Sequence, residues 1–226
     1  MSGTWDGVRE RVLALREAPR WQSVFGAEGG HRFELLPVLT EEELRAVERW
    51  LGAELPEEYR TFLLQVGAGG AGPHYKLFPM VPPGPDTPPA DGHCTVPFRP
   101  EGTDEFHAHD AEEPRPEDHA DDEAFAAAYA AWDARRDELA DALCEGTILL
   151  DHQGCAYYTL LVVTGPGRGT VWEDVRAVGE GVAPVRLVGI EGPVSFAQWY
   201  LNWLRHAERI AWDESSEPPP RLQYSS

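Results

Sequence analysis

Thr147-Ile148-Leu149-Leu150-Asp151-His152-Gln153-Gly154-Cys155-Ala156-Tyr157-Tyr158-Thr159-Leu160-Leu161-Val162-Val163-Thr164, continued by Gly165-Pro166-Gly167-Arg168-Gly169-Thr170-Val171-Trp172-Glu173-Asp174-Val175, is the stretch that decides the fold. Residues 147–151, 157–164 and 170–175 are rich in β-branched, aromatic and aliphatic side chains, and 184–190 is a fourth such run. Turns separate them at Gly154-Cys155, at 165–169 and at 179–181. Connections this short cannot carry the crossover that parallel strands need, so the sheet is antiparallel.

Outward from the strands, the chain turns helical. A last helix is expected from near Ser195, where Phe196, Trp199, Tyr200, Trp203, Leu204 and Ala207 share one face. Its aromatic load places it across the sheet, with Trp172 buried beside it. The Pro- and Ser-rich end, 212–226, reads as a disordered tail. On the N-terminal side, Thr40-Glu41-Glu42-Glu43 is a capping box, and Leu44, Val47 and Leu51 follow at helical spacing up to Gly52. Pro56 suits the first turn of a second helix with Tyr59, Phe62, Leu63 and Val66 on one stripe, closed by Gly67. The two form a helical hairpin. A shorter helix is expected over 4–18, with Thr4 as cap and Trp5, Val8, Val12 and Leu15 inward.

Between hairpin and strands the signals weaken. Residues 74–80 form a short strand candidate, and 81–91, with five prolines, are loop. Residues 100–122 have almost no apolar content and read as mobile. An alanine-rich helix follows, with Phe125, Tyr129, Trp132, Leu139 and Leu143 roughly on one face.

Composition narrows the function classes. The net charge is −20, and the 16 acidic against 3 basic residues from Glu101 to Glu145 supply −13 of it. Such a chain is repelled by nucleic acid and by anionic membranes and attracted to basic partners. No apolar run approaches the roughly 20 residues of a membrane span, and the first residues lack the order of a signal peptide. A cytoplasmic location is the expectation. Cys94, Cys144 and Cys155 are odd in number and widely spaced, which reads as buried free thiols rather than a disulfide framework or zinc knuckle.

Six segments in order resemble the SUKH superfamily, which joins the fungal Smi/Knr-type cell-wall regulators to bacterial toxin-immunity proteins. They are Leu51-Gly52 with Leu55-Pro56-Glu57-Glu58-Tyr59-Arg60; Phe62-Leu63 with Gly69-Gly70-Ala71-Gly72-Pro73; Asp151-His152-Gln153-Gly154-Cys155; Val162-Val163-Thr164-Gly165; Gly169-Thr170-Val171-Trp172; and Phe196-Ala197-Gln198-Trp199-Tyr200 to Trp203-Leu204. The resemblance implies an α+β fold, a twisted antiparallel sheet of about four to six strands with helices packed around it. On this reading 1–38 is a helical extension, 39–210 the domain with an acidic insertion at about 100–145, and 211–226 the tail. It implies no enzymatic activity and no cofactor. It implies binding to another protein: a basic toxin domain, with a nuclease among the candidates, neutralised by direct contact, or else the partners of a regulatory scaffold module.

Other motifs carry less. Gly67-x-Gly69-x-x-Gly72 has dinucleotide-binding spacing, yet it follows a helix and runs into Pro73, whereas that fingerprint must open a helix. Backbone geometry is its expected role. The 165–169 run lacks the Gly-Lys-Ser/Thr of a phosphate loop and reads as a turn. His107, His109, Asp110 and His119 have metal-ligand chemistry but sit in the stretch read as unstructured, so no dedicated metal site is expected. Asp151, His152 and Cys155 are weighed as a Cys–His nucleophile against a turn holding a small buried thiol, and the turn is preferred. The acidic run, with Asp104, Glu105, Asp110, Glu112 and Glu113 as candidate partner-binding residues, is either a solvated surface or a decoy for a basic one.

Overall fold

A computed structural model of the protein describes residues 3–212. Strands β1 (Thr147–Gly154), β2 (Tyr157–Val162), β3 (Val171–Asp174) and β4 (Val182–Pro184) form an antiparallel meander in that order. Only Cys155 and Ala156 join β1 to β2, with φ of 49° and 63°. Positive φ at both turn residues matches the twist of the flanking strands. The fourth strand lies over 182–184 and not over the expected 184–190, with which it shares only Pro184, a residue with no N–H to extend a ladder. Of the candidate strand at 74–80, single bridges remain. Leu77 bridges Asp151 on one side and Gly70 on the other, and Gly70 bridges Leu35.

The sheet is covered on both faces. Leu161 pairs with Ile148 and Val171, and these three join the larger core; Leu160, Val162 and Val182 join a second one. Burial of both faces explains the unbroken Leu160-Leu161-Val162-Val163 run, since one-sided strands alternate.

The larger core lies under α1 (Val8–Ala14), α2 (Glu41–Leu51), α3 (Glu57–Gln65) and α6 (Phe196–Trp212). Thr40 and Glu43 complete the capping box, and Gly52 ends α2 at φ 70°. Pro56 stands one residue ahead of α3, at its N-cap. The first helix starts at Val8 behind Gly7, not at Thr4, but Trp5, Val8, Val12 and Leu15 are all buried. A 3-10 turn (Trp21–Ser23) and a π turn (Ala27–His31) follow.

The aromatic face of α6 meets α3 and the N-terminal segment. Phe196 stands edge-on to Tyr59 at 4.8 Å and to Phe62 at 5.1 Å, and Trp5 contacts Phe62, Phe196 and Tyr200. Trp199 is buried, whereas Trp203 is half-buried and stacked on Phe33. Trp172 is not part of this cluster. It lies half-buried on the opposite sheet face, edge-on to Phe98 at 4.9 Å, because neighbouring residues of a strand point to opposite sides. The helix runs to Trp212, so the start of the expected tail is helical; 213–226 lie outside the described residues.

The second core corrects the reading of 100–122 as mobile. Within it α4 (Gly102–Asp110) packs on α5 (Asp122–Ala142), and Phe106, with 0% exposure, joins Leu139 and Leu143 against Leu160, Val162 and Val182. One phenylalanine in a charged run makes no periodic pattern, yet it anchors the helix. The molecule therefore has three layers, with helices α1, α2, α3 and α6 on one face of the sheet and the acidic pair α4–α5 on the other.

Candidate protein-binding surfaces

The acidic layer is a fixed surface. His109 Nε2–H donates to the carbonyl of Trp132 at 2.9 Å, and the Trp132 indole N–H returns a bond of 2.9 Å to the His109 carbonyl. Arg136 lies over the rings of Phe106 and Trp132 and donates to Asp110 at 2.6 Å. Of the five candidate residues, Asp110 is occupied by Arg136, and Glu105 pairs with Arg135 at 3.0 Å. Asp104, Glu112 and Glu113 are exposed. Exposed pairs of this kind contribute only about 0–1 kcal/mol each. The carboxylates shape the field of the surface more than they hold the fold.

A different surface forms where 24–33, 72–78 and the β1–β2 turn converge. Phe25, 58% exposed, contacts Tyr75 at 5.3 Å and His74 at 6.4 Å; Tyr75 stacks on His152, and His152 meets Tyr158 at 5.2 Å. Exposed aromatic side chains such as Phe25 and Tyr75 on a rigid base are frequent anchors of protein interfaces. The base is tightly built. A Cβ on Gly26 would sit 1.7 Å from the His74 carbonyl oxygen, and one on Gly30 would sit 2.4 Å from that of Tyr75. His74, Cys155 and Ala156 hold positive φ, uncommon for non-glycine residues and concentrated at functional surfaces.

Beneath this surface lies a polar row. Asp151, Thr159 and Glu173 are paired across β1, β2 and β3 and face the larger-core side. Asp151 is 0% exposed; one carboxylate oxygen bonds His74 Nδ1 at 3.0 Å, and the other has no partner. An unsatisfied buried acceptor costs about 1–3 kcal/mol. Burial pushes the Glu173 carboxyl above its ordinary range, and nearby His74 partly offsets this. Reading the sequence missed His74 and Glu173 as site residues. The available signal was an acid, Asp151, ending the apolar run Ile148-Leu149-Leu150, since buried charge is rare unless paired.

The remaining candidates separate. Gly69 and Gly70 have φ of 135° and 105°, and a Cβ on Gly70 would stand 2.3 Å from the Glu34 carbonyl oxygen. This run follows α3 and leads through Pro73 to the isolated-bridge residue Leu77, not into a helix. Cys155 is exposed at the hairpin tip, a correction to its reading as a buried thiol; Cys94 is buried and Cys144 half-buried. Asp151 pairs with His74 rather than with His152. Asp91, His93 and Cys94 form an unforeseen chain, with Asp91 on His93 Nδ1 and Cys94 Sγ 3.2 Å from Nε2. Burial pushes the Cys94 thiol up to about 12, and its hydrogen points to the Thr147 carbonyl, so it is a poor nucleophile. His107 is exposed, His109 is committed to Trp132, and His119 lies against Phe125. Among the described residues, no three His, Cys, Asp or Glu side chains gather as metal ligands.

The capped helical hairpin, the glycine corner and the three central strands define the class, and comparison with family models agrees. The chain belongs to the SMI1/KNR4 family (SUKH-1), whose model matches residues 38–174. The match takes in the acidic layer and ends before α6. No curated protein and no solved structure matches the chain. Among the described residues, no helix is long and apolar enough to cross a membrane.

Proposed function

We propose that this protein is a binding module without catalytic activity that neutralises a toxin domain by covering its basic surface in the cell that produces both. The observation that carries this reading is the order of the acidic layer. Phe106, Trp132 and the reciprocal His109–Trp132 bonds fix α4 and α5 to the sheet. The −13 charge of 101–145 is thereby presented in one geometry and not on a loose tail. A nuclease-type toxin must offer Lys and Arg to phosphate, and a preorganised acidic surface competes for the same side chains. Membership of the SMI1/KNR4 family supports the same reading.

Complementary fields of this kind act mainly on association, which salt then slows. Binding kinetics at several ionic strengths, against a toxin-type domain encoded beside this gene, are the test. Association that falls steeply with salt and inhibition of the toxin in a stoichiometric mixture are expected. A complex whose association ignores salt, or a toxin unaffected by excess protein, refutes the proposal.

A further inference from the structure

We propose that the polar row of His74, Asp151, Thr159 and Glu173 receives the guanidinium group of an arginine presented by the basic partner. This rests on the binding reading above and adds to it an anchor, distinct from the acidic layer.

This row is rich in acceptors and short of donors. Asp151 is fully buried, with one oxygen on His74 and the other unpartnered. Among the described residues the Glu173 carboxylate makes no hydrogen bond, and the Gln153 amide is spent on the Tyr158 carbonyl and the Thr159 hydroxyl. An incoming group must therefore bring N–H donors and positive charge. Guanidinium brings five donors in a planar fork that matches carboxylates, and it sheds water more readily than an ammonium group. A metal ion is a poorer fit, since no set of three ligand side chains gathers among the described residues. The approach is lined by rings, with exposed Phe25 against His74 and Tyr75, and such faces stack well on guanidinium. Access runs past His74, whose side chain is 24% exposed and whose backbone holds φ 63°. A shift of this residue opens the way to the free Asp151 oxygen and relieves an unfavourable conformation. The net charge of −20 matches a partner that carries such arginines.

The test needs no partner. The isotope-labelled protein is titrated with N-acetyl-arginine amide and, in parallel, with N-acetyl-citrulline amide, its uncharged isostere, while amide resonances are followed by NMR. Saturable shifts at residues 74, 151–153, 159 and 173 are expected with arginine, and much weaker ones with citrulline. Glu173→Gln, half-exposed and so safe for the fold, should weaken the arginine response about tenfold, the scale of one charge-assisted hydrogen bond. Asp151→Asn is the second variant, read only if its own spectrum shows the native dispersion. Equal response to both probes, shifts confined to α4 and α5, or no shifts up to about 50 mM probe would each overturn the proposal. Arginine binding here together with an absent protein partner would instead refute the function proposed above and leave the arginine site standing.

Discussion

The imidazole of His109 lies nearly flat on the indole of Trp132, with ring centroids 5.8 Å apart and planes 17° from parallel, while each side chain bonds the other's main-chain carbonyl. This double clamp joins α4 to α5 at the outer edge of the acidic layer, and Phe106 joins the same pair to the sheet.

Phe106→Ala should destabilise the protein by about 3–5 kcal/mol, the cost of a buried phenylalanine. A solvated loop at 100–122 would lose almost nothing. Urea denaturation followed by tryptophan fluorescence distinguishes the two, and a change below about 1 kcal/mol would contradict the described packing.

Two of the three tryptophans of α6, Trp199 and Trp203, should behave differently. Trp199 is buried against Phe196 and the larger core, so Trp199→Ala should cost about 3–5 kcal/mol. Trp203 is half-buried, and Trp203→Ala should cost distinctly less. Thermal denaturation of the two variants, measured together, settles the order.

Gly70→Ala and Gly29→Ala form a matched pair. At Gly70 the added Cβ meets the Glu34 carbonyl oxygen at 2.3 Å on a backbone at φ 105°. At Gly29 it meets nothing within 4 Å, and φ is ordinary. The first substitution should destabilise strongly; the second should be neutral or stabilise by about 0.4–1 kcal/mol through the unfolded chain. Equal effects would contradict the account of the glycine corner.

His31 gives a pH signature. Burial pulls its pKa down from 6.5 to about 4, and its Nδ1 accepts the Phe33 N–H at 3.0 Å, which fixes it neutral. The unfolded chain takes up this proton at higher pH than the folded one. The contribution is therefore complete above pH 6.5 and is lost as pH falls toward 4, on the order of 3 kcal/mol across the window. The difference in stability between the protein and His31→Leu should shrink on acidification from pH 7 to 5. A pH-independent difference would show that His31 titrates in the fold as it does in the unfolded chain.

Much of the architecture is legible in the sequence where local chemistry repeats. Thr40 to Glu43 and Gly52 mark helix ends by hydrogen bonding and backbone sterics alone, and the strand runs with short turns dictate an antiparallel meander. Legibility ends where one residue acts without a pattern. Phe106 is a lone apolar side chain among acids, and Leu77 makes only isolated bridges, to Gly70 and Asp151, where Pro79 interrupts the strand. The position of Trp172 was obscured because Leu160 to Val163 is buried on both faces, so apolar character no longer tells one side from the other. The His74–Asp151 pair spans 77 residues of chain, and only the fold brings its members together.

The central claim is that an ordered acidic layer steers the protein onto a basic partner. Its most direct test is surface plasmon resonance of that partner against the protein and against a variant with Asp104→Asn, Glu105→Gln, Glu112→Gln and Glu113→Gln, each at three salt concentrations. Asp110 is left in place because it holds Arg136. The account predicts an unchanged fold, an association rate that drops in the variant and loses part of its salt dependence, and a dissociation rate that changes less. Identical, salt-insensitive association of both proteins would contradict it.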